Sequence, residues 1–202
     1  MQSISPETIF RGNEAWEKSL PQITKLTKNP LILGRSINTN NLRNKILIDL
    51  KNHNLNVNSA NLQFDCCFED ISRIKNIVLE NNHDSVIAAG GGKVLDSGKY
   101  IAESLNIPCI TVPLSASTCA GWTALSNIYT KNGQFIKDVA LGACPKILVF
   151  DHKFIKTAPP RTLASGIADA LAKWYESSIT SSTIDDGLVQ QAIQISRVLR
   201  DQ

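Results

Sequence analysis

From residue 30 to residue 112, short apolar runs alternate with segments whose apolar residues recur every three or four positions. Residues 30–34 predict a first strand. Residues 42–53 predict a helix with Leu42, Ile46 and Leu50 on one stripe. A second strand is expected over 60–68, carrying the adjacent Cys66 and Cys67. The helix after it, over 71–82, turns Ile71, Ile74, Ile77 and Val78 inward. Asp70 is its expected N-cap, and the Asn81-Asn82-His83-Asp84 cluster its stop. Strand 85–89, helix 92–105 and strand 108–112 complete the series. Strands taken in turn with helices predict a doubly wound α/β fold with a mainly parallel sheet and right-handed crossovers.

After Val112 the texture changes. Residues 113–121 are small and hydroxyl-rich, too many for a tight turn. Residues 125–130 and 134–141 flank Lys131-Asn132-Gly133, a β-hairpin signal, and residues 147–151 read as one more buried strand. Beyond Pro159-Pro160 the pattern is helical, over 161–177 and from 184 to the end. The expected division is an α/β domain over 1–158, then the first helices of an all-α domain over 159–202.

The 202 residues suffice for a real core. A formal charge of +3, with lysines and arginines scattered, argues against nucleic acid and against a membrane surface. No apolar run has the length of a membrane span, and the first six residues lack a signal-peptide pattern. Five cysteines without a C-x-x-C pair predict reduced, mostly buried thiols and a cytoplasmic protein. His53, His83 and His152 match no metal spacing and read as surface or loop-edge residues.

The most informative stretch is 85–99. An apolar strand runs into Gly90-Gly91-Gly92, and a helix opens at once behind them. Glycines let a backbone approach a ligand closely and adopt dihedrals that other residues resist. A helix start offers unpaired N–H groups and a positive dipole end, so the expected guest is an anion such as a diphosphate. A plain structural turn is the other reading. In a doubly wound sheet, ligands sit at the carboxyl ends of the strands, where this turn lies.

Four segments, in order, carry a resemblance. They are Gly90-Gly91-Gly92-Lys93 with Asp96 and Lys99; Pro113 with Ser117-Thr118; residues 124–133; and Pro145 with Asp151, running on to Gly166, Asp169-Ala170-Leu171, Lys173 and Glu176. In this spacing the chain resembles the iron-containing (group III) alcohol dehydrogenase family, especially its glycerol-dehydrogenase-like branch. The resemblance implies an oxidoreductase that moves a hydride between an alcohol or polyol and NAD or NADP, assisted by a divalent metal, Zn or Fe. By that resemblance Gly90, Gly91, Gly92 and Lys93 cradle the diphosphate, while Ser117, Thr118 and Leu125 line the cofactor channel. Asp96 borders the nicotinamide as the catalytic-side carboxylate, and Asp169 is the first metal ligand. Members often form oligomers.

Three departures follow. No histidine lies beyond His152, where the family has two further metal ligands, so a chain ending inside a helical domain is expected to hold no metal tightly. Cys119 replaces the branch's polyol-contacting aspartate, which puts glycerol in doubt as a substrate. The first strand ends in Gly34-Arg35-Ser36 without an aspartate, so Arg35 and Ser36 favour the 2′-phosphate of NADP; Arg35 as an ordinary exposed loop residue is the alternative. Two other functions remain open: a non-catalytic nucleotide-binding chain, and a sugar-phosphate dehydrogenase or lyase on the same scaffold. Exposed apolar residues over 164–199, Ile167, Leu171, Trp174, Ile179, Leu188, Ile193 and Val198 among them, predict self-association.

Overall fold

The computed structural model describes residues 5–181 and 183–201; residues 1–4, Ser182 and Gln202 lie outside the described residues. In chain order come β1 (Thr8–Gly12), α1 (Ala15–Leu26), β2 (Pro30–Gly34), α2 (Asn40–Asn52), β3 (Asn58–Asn61), α3 (Phe68–Glu80), β4 (Ser85–Gly90) and α4 (Gly92–Ser104). Then follow β5 (Cys109–Pro113), β6 (Leu125–Tyr129), β7 (Phe135–Ala140), β8 (Ile147–Asp151), α5 (His152–Lys156), α6 (Pro160–Thr180) and α7 (Gly187–Asp201).

Six strands form one parallel sheet in the order β1-β8-β5-β4-β2-β3, and β6 and β7 pair antiparallel as the expected hairpin. The central strands β2, β4 and β5 are buried along their whole length, because helices cover both faces. Period two then divides each strand between two cores. Ile32, Ile87, Ala89, Ile110 and Val112 meet α1 and α2 on one face; Leu31, Leu33, Val86 and Ala88 meet α3 and α4 on the other. Gly98 allows α4 to lie hard against β4: a Cβ there would stand 2.5 Å from the Ala88 Cβ.

The chain leaves β2 for β3 on one side and returns past β2 to β4 on the other. The carboxyl ends of β2 and β4 are therefore the point where the winding reverses, a crevice that helices do not fill.

Several expectations needed correction. β1 and α1 carry no anticipated signal, so the first expected strand is the second. The strand expected over 60–68 is the polar β3, Asn58–Asn61, and Cys66 and Cys67 sit in the loop after it. Cys67 occupies the N-cap of α3, so Asp70 lies in its first turn. The Asp70 carboxylate accepts from the amides of Gln63 (2.8 Å) and Phe64 (2.6 Å) and pairs with Arg73. His53 and His152 are exposed, but His83 is buried, with Nδ1 3.0 Å from the Asn29 carbonyl. In α2 the buried stripe is Arg43, Ile46 and Leu50, with Leu42 only partly covered.

The α6–α7 pair leaves Ile167, Leu171, Ile179, Leu188 and Val198 exposed, while Ile193 is buried. Cys66, Cys67 and Cys109 are buried, Cys144 half-buried and Cys119 exposed. Burial pushes the Cys66 and Cys109 thiols up to about 12, so both stay protonated at neutral pH. Among the described residues, no helix is long and apolar enough to cross a membrane.

Candidate functional site

β4 ends at Gly90, and α4 begins two residues later with Gly91 as its N-cap. Gly91 has φ −88°, so the turn needs no left-handed backbone; what it needs is space. A Cβ on Gly90 would stand 2.8 Å from the Val94 Cβ, and one on Gly92 would stand 3.1 Å from Thr118 Cγ2. The glycines therefore let the first turn of α4 close on both its own strand and the loop after β5.

The Gly91 carbonyl accepts from Val94 (3.0 Å) and Leu95 (3.1 Å), but the amides of Gly92 and Lys93 have no acceptor among the described residues. No side chain caps the helix. A hollow of about 270 Å³ opens over this turn, walled by Arg35, Ser36 and Thr39 from the end of β2, with no carboxylate in its lining. Free amides, the positive end of a helix and an arginine give it the chemistry that suits an anion. Two larger hollows, about 550 and 400 Å³, lie at the other end of the sheet and include Glu7 and Lys146 in their walls. Size favours those two, but the chemistry favours the glycine turn.

The structure brings Gly90, Gly91, Gly92, Lys93, Arg35 and Ser36 to this one hollow. The Lys93 side chain turns aside: its ammonium pairs with the buried Asp65 and lies 5.7 Å from the Tyr129 ring centroid, leaving its amide as the group presented. Arg35 Nε donates to the Phe64 carbonyl at 2.8 Å, and Ser36 Oγ accepts from the Asn38 amide at 3.3 Å. Gly34 borders the Arg43 guanidinium. The loop bearing Ser117 and Thr118 flanks the helix start, with Ser117 Oγ 3.1 Å from Ser115 Oγ and Thr118 Oγ1 accepting from the Ala120 amide.

Asp96 lies outside the hollow. It is buried and forms an ion pair with Lys99 at 2.9 Å. Burial raises its pKa, although Lys99 opposes the shift. Lys99 also donates to the Thr123 carbonyl and to the carbonyl of the half-exposed Leu125, so the Asp96–Lys99 pair pins the start of the hairpin to α4. Reading the sequence for chemistry named Lys99 in the resemblance but gave it no role, and passed over Asp65 and Arg43, which carry no motif of their own.

Asp169 lies on α6 and pairs with Lys173 at 3.3 Å, and Lys173 reaches Glu176 at 2.8 Å. Those carboxylates raise the Lys173 pKa, the Glu176 hydrogen bond most. Among the described residues, no three of His, Cys, Asp and Glu gather to hold a metal. One carboxylate already held by an ammonium does not fit a metal centre, which takes three or more protein donors. α6 reaches the loop through Gly166, where a Cβ would stand 1.8 Å from the Ala116 carbonyl oxygen.

A family model described as iron-containing alcohol dehydrogenase matches residues 6–152. An uncharacterized oxidoreductase of Synechocystis sp. is 38% identical over 200 residues, covering 98% of this chain and 51% of the relative. A glycerol dehydrogenase of Escherichia coli is 30% identical over 177 residues, 88% of this chain and 48% of the relative. The solved structure of glycerol dehydrogenase from Schizosaccharomyces pombe superposes with a TM-score of 0.77 at 32% identity, over 90% of this chain and 46% of that one. The chain spans about half the length of these relatives or less.

Proposed function

The chain belongs to the iron-containing alcohol dehydrogenase family, and from that premise we propose that residues 1–158 hold a nicotinamide dinucleotide for an oxidoreductase acting on an alcohol or polyol. The observation that carries this reading is the hollow at the winding reversal, with two unanswered amides and no carboxylate. The amides of Gly92 and Lys93 bind the diphosphate, with Gly90 and Gly91 allowing its approach. Ser117, Thr118 and Leu125 guide the rest of the cofactor along the hairpin side. When bound, the cofactor supplies hydride exchange with the substrate's carbinol carbon. Asp96 acts through its pair with Lys99, holding the hairpin wall at a fixed distance from α4.

Arg35 and Ser36 stand where a ribose-binding acid would be, and they select NADP over NAD by offering charge and hydroxyl to a 2′-phosphate. Among the described residues the donors do not assemble a metal centre, so no residue of this chain is given a metal-bound role. A second reading for these 202 residues alone is a nucleotide-binding unit. Helices α6 and α7 carry exposed apolar side chains that support self-association. The substrate is a small alcohol, with no nucleic acid or membrane partner, and the setting is the cytoplasm.

Fluorescence titration with NADPH and NADH tests the reading. The expected result is saturable binding of both, tighter for NADPH. Binding of neither cofactor would contradict it.

A further inference from the structure

Arg43 is 6% exposed and sits on the inward stripe of α2 beside Ile46 and Leu50. Its guanidinium donates only to neutral oxygens: Thr39 Oγ1, Asn40 Oδ1 and the Ser36 carbonyl at 2.9 Å. No described carboxylate lies within ion-pair reach. Burial lowers its pKa, yet a guanidinium stays charged in any protein, so a cation is buried here without a counter-ion. Neutral acceptors return only part of that desolvation cost.

The space for Arg43 exists because residue 34 is glycine; a Cβ there would stand 2.2 Å from Arg43 Nε. All three oxygens it holds belong to residues 36–40, and Ser36 and Thr39 wall the hollow next to Arg35. The one feature this arrangement lacks is an anion, and the adjoining hollow contributes none.

We infer that Arg43 is a positioning residue for the 2′-phosphate of NADP(H): it fixes the Ser36–Asn40 turn and lends the hollow a charge that a dianion answers and a ribose hydroxyl does not. This inference rests on the cofactor reading above. Ser36, Arg35 and Thr39 make the direct approach, while Arg43 acts from behind them.

The experiment titrates NADPH and NADH by fluorescence against the wild-type chain, Arg43→Met and Arg43→Lys, with melting curves to confirm folding. Arg43→Met keeps length and loses charge; it is expected to lose about tenfold in NADPH affinity and less than about threefold in NADH affinity. Arg43→Lys keeps charge and loses the fork, and falls between the two. A purely structural arginine would weaken both cofactors alike; that outcome, or an undiminished NADPH preference in Arg43→Met, overturns the inference. Should Arg43→Met fail to fold, Arg43→Lys decides, since an unchanged NADPH-to-NADH ratio overturns it equally. A wild-type chain that binds neither cofactor defeats the underlying reading instead, and one that binds both without preference defeats the 2′-phosphate assignment.

Discussion

At the amino ends of β2 and β4, Asp84 accepts from the Thr27 hydroxyl and from the amides of Lys28 (2.7 Å) and Asn29 (3.1 Å), and Ser85 Oγ donates to Thr27 Oγ1 at 2.7 Å. At the carboxyl ends of the same two strands, the amides of Gly92 and Lys93 have no acceptor, and Arg43 no counter-ion, among the described residues. Both ends present backbone donors at a strand–helix junction. One end answers them with its own carboxylate, and the other leaves them open. The first amides of a helix have no partner within it, so the open end keeps donors that a ligand could take up, while the closed end spends its donors on the fold. The contrast is not complete, since His83 Nε2 at the closed end is buried without a hydrogen-bond partner among the described residues.

The largest effect that separates the ends comes from Asp84→Ala. It removes the acceptor of three hydrogen bonds and is expected to cost about 2–3 kcal/mol of unfolding free energy, leaving NADPH affinity of the folded chain unchanged. Chemical denaturation checks the first part and titration the second. Burial works to raise the Asp84 pKa, but the hydrogen bonds from Thr27, Lys28 and Asn29 win and hold it below the ordinary carboxylate value. Its contribution is therefore present above about pH 4 and lost as the pH falls through the depressed pKa, so the gap between wild type and variant should close in acid.

The opposite result is expected at the other end. Gly90→Ala drives a Cβ to 2.8 Å from Val94, a side chain with little rotamer freedom, so the first turn of α4 must shift. Stability should fall by about 1 kcal/mol and NADPH affinity by about tenfold, because the free amides move with the turn. A variant that lost stability while keeping its affinity would erase the distinction between the ends.

Much of this was legible in the sequence. The runs 30–34 and 85–89 read as strands because both faces are buried and their apolar residues are continuous. The glycine turn was legible as a strand–turn–helix junction because strand, glycines and helix start are contiguous. β1 was not, since it is an edge strand with alternating burial whose parallel partner, β8, lies far along the chain. α1 was hidden by Pro21, which reads as a break yet sits inside the helix. Asp70 read as a cap because spacing alone cannot tell a side chain that caps its own helix from one that ties down the preceding loop. Arg43 was invisible for a different reason: its burial depends on the missing Cβ of Gly34, nine residues away. Asp169 was legible as a candidate ligand by resemblance, while its pairing with Lys173 depends on side-chain direction along α6.

The most direct measurement is the amide nitrogen–proton correlation spectrum of the chain as NADP⁺ is added. Resonances of Gly92 and Lys93 should move with saturation, while those of Lys28 and Asn29, whose protons are already held by Asp84, stay in place. A saturated complex in which the Gly92 and Lys93 amides do not move, or in which both ends of the sheet move alike, would contradict the account.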